Sequence, residues 1–184
     1  TVLREKSLKK GWSAITGKYS IFLVLLALFI VCSAINPNFL SWTNLTNISR
    51  QLAVTTILAF GETILIVCGL LDLSSGSVIA LSGTLSVAAF KATGNLLLAF
   101  LVGIAVAVVC NFLNGLMVTT FKAPAFIATL AMQTMARGAA LLYTSGQNIY
   151  QIGDYIVFGQ GSIGPVPTPI LFLLVIFLVT WYLL

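Results

Sequence analysis

The chain has 184 residues, of which 59% are hydrophobic and only 7% charged, with nine Lys and Arg, four Asp and Glu, and no His. Soluble domains average about 45–50% apolar and about 25% charged residues, so a soluble fold is excluded, and the commonest general base and metal ligand is missing. The net charge of +5 is not a nucleic-acid signal, because Arg4, Lys6, Lys9, Lys10 and Lys18 gather ahead of the first apolar run, where basic residues mark the cytoplasmic side of a membrane protein.

Residues 1–19 read as a cytoplasmic or interfacial lead-in and residues 20–184 as a transmembrane domain, an all-α polytopic helix bundle with about six spans. The first span covers residues 20–35 and is closed by Asn36-Pro37-Asn38, since proline disfavours helix both at and before its own position. A secretory signal peptide is the rival reading of this basic-then-apolar start, but Cys32-Ser33-Ala34 is a weak cleavage site and more membrane follows. The second span is expected over residues 48–69, the third over 77–90, the fourth over 96–121 and the fifth over 124–143. A sixth starts near Pro169 and is still running at Leu184, while Thr1 is not a methionine, so the chain is expected to be trimmed at both ends. Lys122-Ala123-Pro124 makes a tight helical hairpin, and residues 145–168, rich in Gly, Pro, Gln and Asn, form the one long loop. Alternating the spans from a cytoplasmic N-terminus puts Lys122 inside and that loop outside, with Lys91 the one lysine in an outer loop.

Between the second and third spans lies Gly69-Leu70-Leu71-Asp72-Leu73-Ser74-Ser75-Gly76-Ser77. A carboxylate set between hydrophobic spans is costly in lipid and needs partners. Gly69 and Gly76 allow a turn, and Asp72, Ser74 and Ser75 can satisfy backbone groups freed at a helix end. A bilayer core takes about 20 helical residues, so the third span is short. It is expected to be a partial or broken helix, with residues 72–77 dipping into the membrane and Asp72 accepting from the N–H groups that open the helix.

Two polar stripes stand out on apolar helices. Thr129, Gln133 and Arg137 recur at i, i+4 and i+8 on the fifth span, and Gln51, Thr55 and Glu62 fall close to one face of the second, with Asn111 and Asn114 a smaller patch on the fourth. Amides and hydroxyls supply paired donors and acceptors without strong charge, which suits a neutral polar solute. The blander reading is structural: ion pairs of Glu62 or Asp72 with Arg137 or Arg50, and asparagine hydrogen bonds between helices. Arg137 is expected to find a carboxylate, from Glu62, Asp72 or Asp154, or several carbonyls. Gly103, Gly115 and Gly138 read as close-packing positions, and Cys32, Cys68 and Cys110 as small buried hydrophobes with no metal or disulfide spacing.

The segment from Gly69 to Ser77 resembles the Gly-Ile-Asp-Leu-Ser-x-Gly-Ser stretch of bacterial ABC sugar permeases of the ribose, xylose and galactose type, relatives of the branched-chain amino acid permeases. A second block, Ala125-Phe126-Ile127-Ala128-Thr129-Leu130 through Ala136-Arg137-Gly138 to Tyr143-Thr144-Ser145-Gly146, is similar to the same family. Asn36-Pro37-Asn38-Phe39, Asn114-Gly115 and Val166-Pro167-Thr168-Pro169 are weaker matches, and order and spacing fit the N-terminal half of such a permease. Glu62 departs from the family pattern, which carries an uncharged residue there, and nothing corresponds to the second half with its ATPase-docking segment.

The resemblance implies a multi-pass subunit of the inner membrane that imports a monosaccharide or similar neutral polyol. Its partners would be a separate ABC ATPase, a periplasmic or lipid-anchored sugar-binding protein and a second permease subunit. No cofactor is implied, and Gly17-Lys18 lacks the rest of a phosphate loop, so hydrolysis belongs to the partner. The residues assigned to the substrate path or to a structural polar network are Glu62, Asp72, Ser74, Asn114, Thr129, Gln133 and Arg137. An ion- or proton-coupled transporter using Glu62, Asp72 and Arg137 is the alternative, and an intramembrane enzyme ranks last, since neither a Gly-x-Ser-x-Gly nor a paired-Asp motif occurs.

Overall fold

The computed structural model describes the backbone of residues 2–150 and 152–183 and the side chains of residues 19–150 and 152–182. The basic side chains Arg4, Lys6, Lys9, Lys10 and Lys18 lie outside the described residues. The chain divides into two compact units, Thr1–Ile48 and Ser49–Leu184.

In the first unit, α1 (Val2–Ile35) departs from helical geometry at Tyr19. Its end is built by Asn36, whose Oδ1 accepts from the Asn38 N–H at 2.9 Å, and by Asn44, whose Nδ2 donates to the Phe39 carbonyl at 2.7 Å. The rings of Phe29 and Phe39 meet edge to face at 5.2 Å. The proline-flanked turn expected after residue 35 is thus present, held by asparagine side chains that replace helical hydrogen bonds.

From α2 (Trp42–Val67) the chain passes through residues 68–74 to α3 (Ser75–Thr93), then α4 (Leu96–Thr119) and α5 (Ala125–Thr144). These four helices are long and apolar enough to cross a membrane, whereas the apolar stretches Tyr19–Ile35 and Thr168–Tyr182 are shorter. The third span differs from expectation in one respect. It begins two residues earlier and runs without interruption for 19 residues, so the break lies before the helix and not within it.

Each boundary has a local cause. The end of α2 is a Schellman motif: Leu70 N–H reaches the Leu65 carbonyl, Gly69 N–H reaches that of Ile66, and Gly69 takes φ of 74°, which glycine adopts at little cost. Asn95 caps α4, its Oδ1 accepting from Leu97 and Leu98 N–H. Between α4 and α5, Lys122 takes a left-handed φ of 55° and Pro124 precedes the first turn, giving the expected tight hairpin.

The core sits where α3 packs against α4 and α5. Val78, Cys110, Met132 and Ala136 form its centre, with Leu81, Val106 and Ala107 against them. Most buried residues are small (Ala99, Ala128, Ala140, Ser77, Ser86), as expected for helices held by close backbone approach with little hydrophobic drive in lipid. A methyl at Gly103 would meet the Ser86 side chain at 3.3 Å, whereas Gly115 and Gly138 have nothing within 4 Å. Of the three close-packing glycines expected, only Gly103 acts so within the described residues. Cys110 is buried and Cys32 and Cys68 are exposed, which corrects the reading of all three as buried: Cys32 lies on an outward face of α1 and Cys68 in the turn after α2.

Residues 145–168 are folded, not a plain loop. A 3-10 turn (Gly153–Ile156), α6 (Val157–Gln160) and a two-stranded antiparallel hairpin, β1 (Ser162–Ile163) with β2 (Val166–Pro167), lead into α7 (Thr168–Leu183). Tyr155 Oη donates to Ser86 Oγ at 2.8 Å, and Ser86 donates onward to the Ala99 carbonyl at 2.6 Å. Phe90, Tyr155, Phe158 and Phe100 form a ring cluster around this contact. Arg50 donates to the Gln160 carbonyl and Lys91 to that of Tyr150.

Candidate functional site

The segment before α3 is organised by Asp72. Its Oδ1 accepts from the Ser74 N–H at 2.7 Å and from Ser74 Oγ at 2.6 Å, and its Oδ2 lies 3.3 Å from Ser75 Oγ. This is an Asx-type turn, and it corrects the expected cap. The carboxylate holds the N–H of the residue that precedes the helix, while no side chain caps the first helical N–H groups. The first turn closes on the Ser74 carbonyl instead, which accepts from both Ser77 and Val78 N–H.

Three other elements meet this turn. From α2, Glu62 Oε1 accepts from Ser75 Oγ at 2.5 Å. From α4, Asn114 Nδ2 donates to Ser74 Oγ at 3.0 Å. From α5, Thr129 Oγ1 is 3.3 Å from the Leu71 carbonyl, a contact it shares with its own helix at Ala125, 2.9 Å away. Ser74 is fully buried at 0% exposed, and Asn114 and Thr129 are buried at 7% and 6%. Asn114 Oδ1 is enclosed yet has no hydrogen-bond partner among the described residues.

Five of the seven expected residues, Glu62, Asp72, Ser74, Asn114 and Thr129, therefore form one hydrogen-bonded network at the junction of α2, α3, α4 and α5. Gln133 and Arg137 do not join it. They line a hollow of about 630 Å³ on the other side of the start of α3, with Ser77, Thr134, Leu73 and Gly76. Successive residues at a helix start turn by about 100°, from the 3.6-residue repeat, so Ser75 faces the network while Ser77 faces this second hollow. The five-plus-two division bears on the expected partner of Arg137. Among the described residues no carboxylate bonds to Arg137: Glu62 and Asp72 are committed to serines on the opposite side, Asp154 lies in the 3-10 turn without a bond to it, and Arg137 is exposed in its hollow. Gln51 and Thr55 are exposed and, among the described residues, Thr55 donates to the carbonyl of Gln51, so of the stripe on α2 Glu62 alone joins the network.

Ser75 and Asn111, noted in the sequence as a helix-end hydroxyl and part of a polar patch, were not among the seven residues assigned to the site. Ser75 is the hydroxyl shared by Glu62 and Asp72, and Asn111, one turn before Asn114, lines both hollows that flank Asp72, of about 280 and 240 Å³. The run of serines after Asp72 and the i, i+3 spacing of the asparagines carried that signal.

Comparison with known proteins agrees with this architecture. The family described as "Branched-chain amino acid transport system / permease component" matches residues 44–184. The ribose import permease protein of Bacillus subtilis (strain 168) is 36% identical over 185 residues, covering 99% of this chain and 58% of that protein. The ribose import permease protein of Escherichia coli (strain K12) is 33% identical over 189 residues, covering 100% and 58%. The D-allose transport system permease protein of the same strain is 29% identical over 187 residues, covering 99% and 57%. The chain thus spans little more than half the length of these relatives. No solved structure matches the chain.

Proposed function

This chain belongs to the permease-component family of branched-chain amino acid transport systems, and on that premise we propose that it is the N-terminal part of the membrane subunit of an ATP-binding-cassette importer for a monosaccharide. The observation that carries the reading is the alignment of nearly the whole chain with permeases named for ribose and allose, sugars without formal charge. The subunit itself performs no chemistry. A separate ATPase supplies the energy, a binding protein delivers the sugar, and a second permease subunit completes the path. The protein lies in the inner membrane with its N-terminus in the cytoplasm, an orientation supported by the basic residues ahead of residue 20 and by Lys122.

Within the subunit, the hollow of about 630 Å³ beside Gln133 and Arg137 is assigned to the sugar path. Its size falls in the range of about 300–1,000 Å³ typical of small-ligand sites. Gln133 offers both a donor and an acceptor, and Arg137 offers donors in a fixed fork. The network of Glu62, Asp72, Ser74, Asn114 and Thr129 is assigned a supporting role, fixing where α3 begins.

The test is uptake by the complete permease reconstituted in liposomes with its ATPase and binding protein, using labelled ribose, allose, xylose, galactose and leucine. One monosaccharide should accumulate, dependent on ATP and unaffected by an ionophore that collapses the proton gradient. Accumulation of leucine alone, or uptake that needs the gradient and not ATP, overturns the proposal.

A further inference from the structure

Arg137 stands where two hollows meet. The one of about 630 Å³ shares Arg137 and Leu141 with a second of about 400 Å³, which has Thr84, Thr144, Gln147 and Asn148 on its walls. The join follows from the helical repeat: Gln133, Arg137, Leu141 and Thr144 succeed one another on one face of α5, at i, i+4, i+8 and i+11. Ser145 and Gly146 take left-handed φ of 52° and 71°, which ends α5 and brings Gln147 and Asn148 to the hollow that Val87 of α3 also lines. Beyond it a hollow of about 220 Å³ shares Thr144, Gln147 and Asn148 and reaches Lys91 in the last turn of α3. A single groove thus runs between α3 and α5, from Ser77 to the far end of both helices.

The second hollow carries unused hydrogen-bonding groups of both kinds. Among the described residues the side chains of Arg137 and Gln147 make no hydrogen bond. Thr84 and Thr144 donate to the carbonyls of Ala80 and Ala140, which leaves their oxygens able to accept, and Asn148 donates through Nδ2 to Tyr150 Oη and keeps its Oδ1. Donors from the guanidinium, both functions from Gln147 and acceptors from the other three suit a ring of hydroxyls. Gly83 is a separate observation. Glycine inside a helix is destabilising relative to alanine, and a methyl at Gly83 would meet nothing within 4 Å, whereas one at Gly103 would meet Ser86. Gly83 therefore serves no close helix contact among the described residues. It lines the second hollow, and its missing side chain leaves that space open.

On the reading that the larger hollow is part of the sugar path, we propose that the hollow of about 400 Å³ is a second monosaccharide subsite, reached before the larger one, with Arg137 common to both. In the orientation proposed above the Gln147 end faces outside, so the sugar arrives there first. Thr144 and Gln133 are about 16 Å apart along α5 from the helical rise, farther than one monosaccharide spans, so the two subsites are occupied in turn. Arg137 lies between them and offers several donors in a fixed fork. A sugar leaving one subsite exchanges hydrogen bonds on the same guanidinium, which keeps both its hydroxyls and the cation partnered where an unmatched polar group is costly.

The experiment follows uptake of labelled ribose and allose by the complete permease, reconstituted with its ATPase and binding protein. Gly83→Leu, which puts a side chain into the second hollow, should cut uptake of the transported sugar by on the order of tenfold or more, with an unchanged unfolding midpoint and unchanged ATP hydrolysis. Gly83→Ala should transport almost as the wild type does. If Gly83→Leu does not fold, Gly83→Cys decides, in a background with Cys32, Cys68 and Cys110 replaced. In nanodiscs without binding protein, excess of the same sugar should slow its reaction with a membrane-impermeant thiol reagent severalfold, and should leave Ser162→Cys unaffected. Full uptake by a folded Gly83→Leu protein, or labelling of Gly83→Cys that the sugar does not slow, overturns the second subsite while leaving the sugar path standing. A wild-type complex that takes up neither sugar overturns both.

Discussion

Ser74 is the residue whose loss reads out the network most directly. It is fully buried, donates through Oγ to Asp72 at 2.6 Å and accepts there from Asn114 at 3.0 Å. Ser74→Ala removes a hydrogen bond to a carboxylate, worth about 1.5–3 kcal/mol, and a neutral one worth about 0.5–1.5 kcal/mol. Asp72 keeps the Ser74 N–H, so part of the turn survives, and the expected cost is about 2–4 kcal/mol. Because the mutation also strands the Asn114 amide, the partner change Asn114→Leu should be less damaging in the Ser74→Ala background than alone. The double-mutant cycle should show a coupling of about 1 kcal/mol, within the range found for residues that touch. Unfolding in mixed detergent micelles, followed by tryptophan fluorescence for all four proteins at one ionic strength, measures it. A coupling within about 0.3–0.5 kcal/mol of zero, the scatter of independent sites, would mean that α4 is not held to the start of α3 through this hydroxyl.

Two further outcomes follow from the fold. Ser162→Cys in β1, in a background with Cys32, Cys68 and Cys110 replaced, should react with a membrane-impermeant thiol reagent added outside intact cells; labelling only after permeabilisation reverses the orientation. Tyr155→Phe keeps the ring cluster but removes the bond to Ser86 at 2.8 Å, so stability should fall by about 0.5–1.5 kcal/mol and hydrogen exchange over residues 153–160 should quicken; unchanged exchange there would mean that the hydroxyl does not anchor this segment.

What could be read from the residues divides by physical scale. Hydropathy located α3, α4 and α5 and all but the first six residues of α2, which begins at Trp42 and not at residue 48, because each apolar run ends at glycine, asparagine or proline signals that act on their immediate neighbours. The turn at Gly69 and the hairpin at Lys122 were legible for the same reason. Three things were not. Glu62 and Ser75 meet across 13 positions, and no local pattern encodes such a distance. Thr129 contacts the Leu71 carbonyl, a group every residue carries, so its partner leaves no mark in the side-chain sequence. Residues 145–168 looked like a loop from their Gly and Pro content, yet they are tied to α2 and α3 by Arg50, Lys91 and Tyr155 and to α4 by Phe158, whose roles depend on where distant elements come together. Among the described residues no acid meets Arg137, and for Glu62 and Asp72 the reason is direction, since both lie on the far side of the start of α3.

The division of polar groups across that helix start bears on which hollow suits a sugar. A neutral polyol presents hydroxyls that must both give and receive hydrogen bonds, and binding favours a site that offers both without forcing a charge to lose its water uncompensated. Around Asp72 the free groups are acceptors and the charge is negative, with the nearest donors, Ser74 and Ser75, already committed. Around Gln133 the set is mixed: an amide, the hydroxyls of Ser77 and Thr134, and the guanidinium of Arg137, in more than twice the volume of the hollow that Asn114 lines. Residues 74–77 form the wall between the two, with Ser75 on one side and Ser77 on the other. Whatever fixes the first turn of α3 on the anionic side therefore also fixes the position of Ser77 on the side assigned to the sugar, which is how a network that touches no substrate can set the shape of the path.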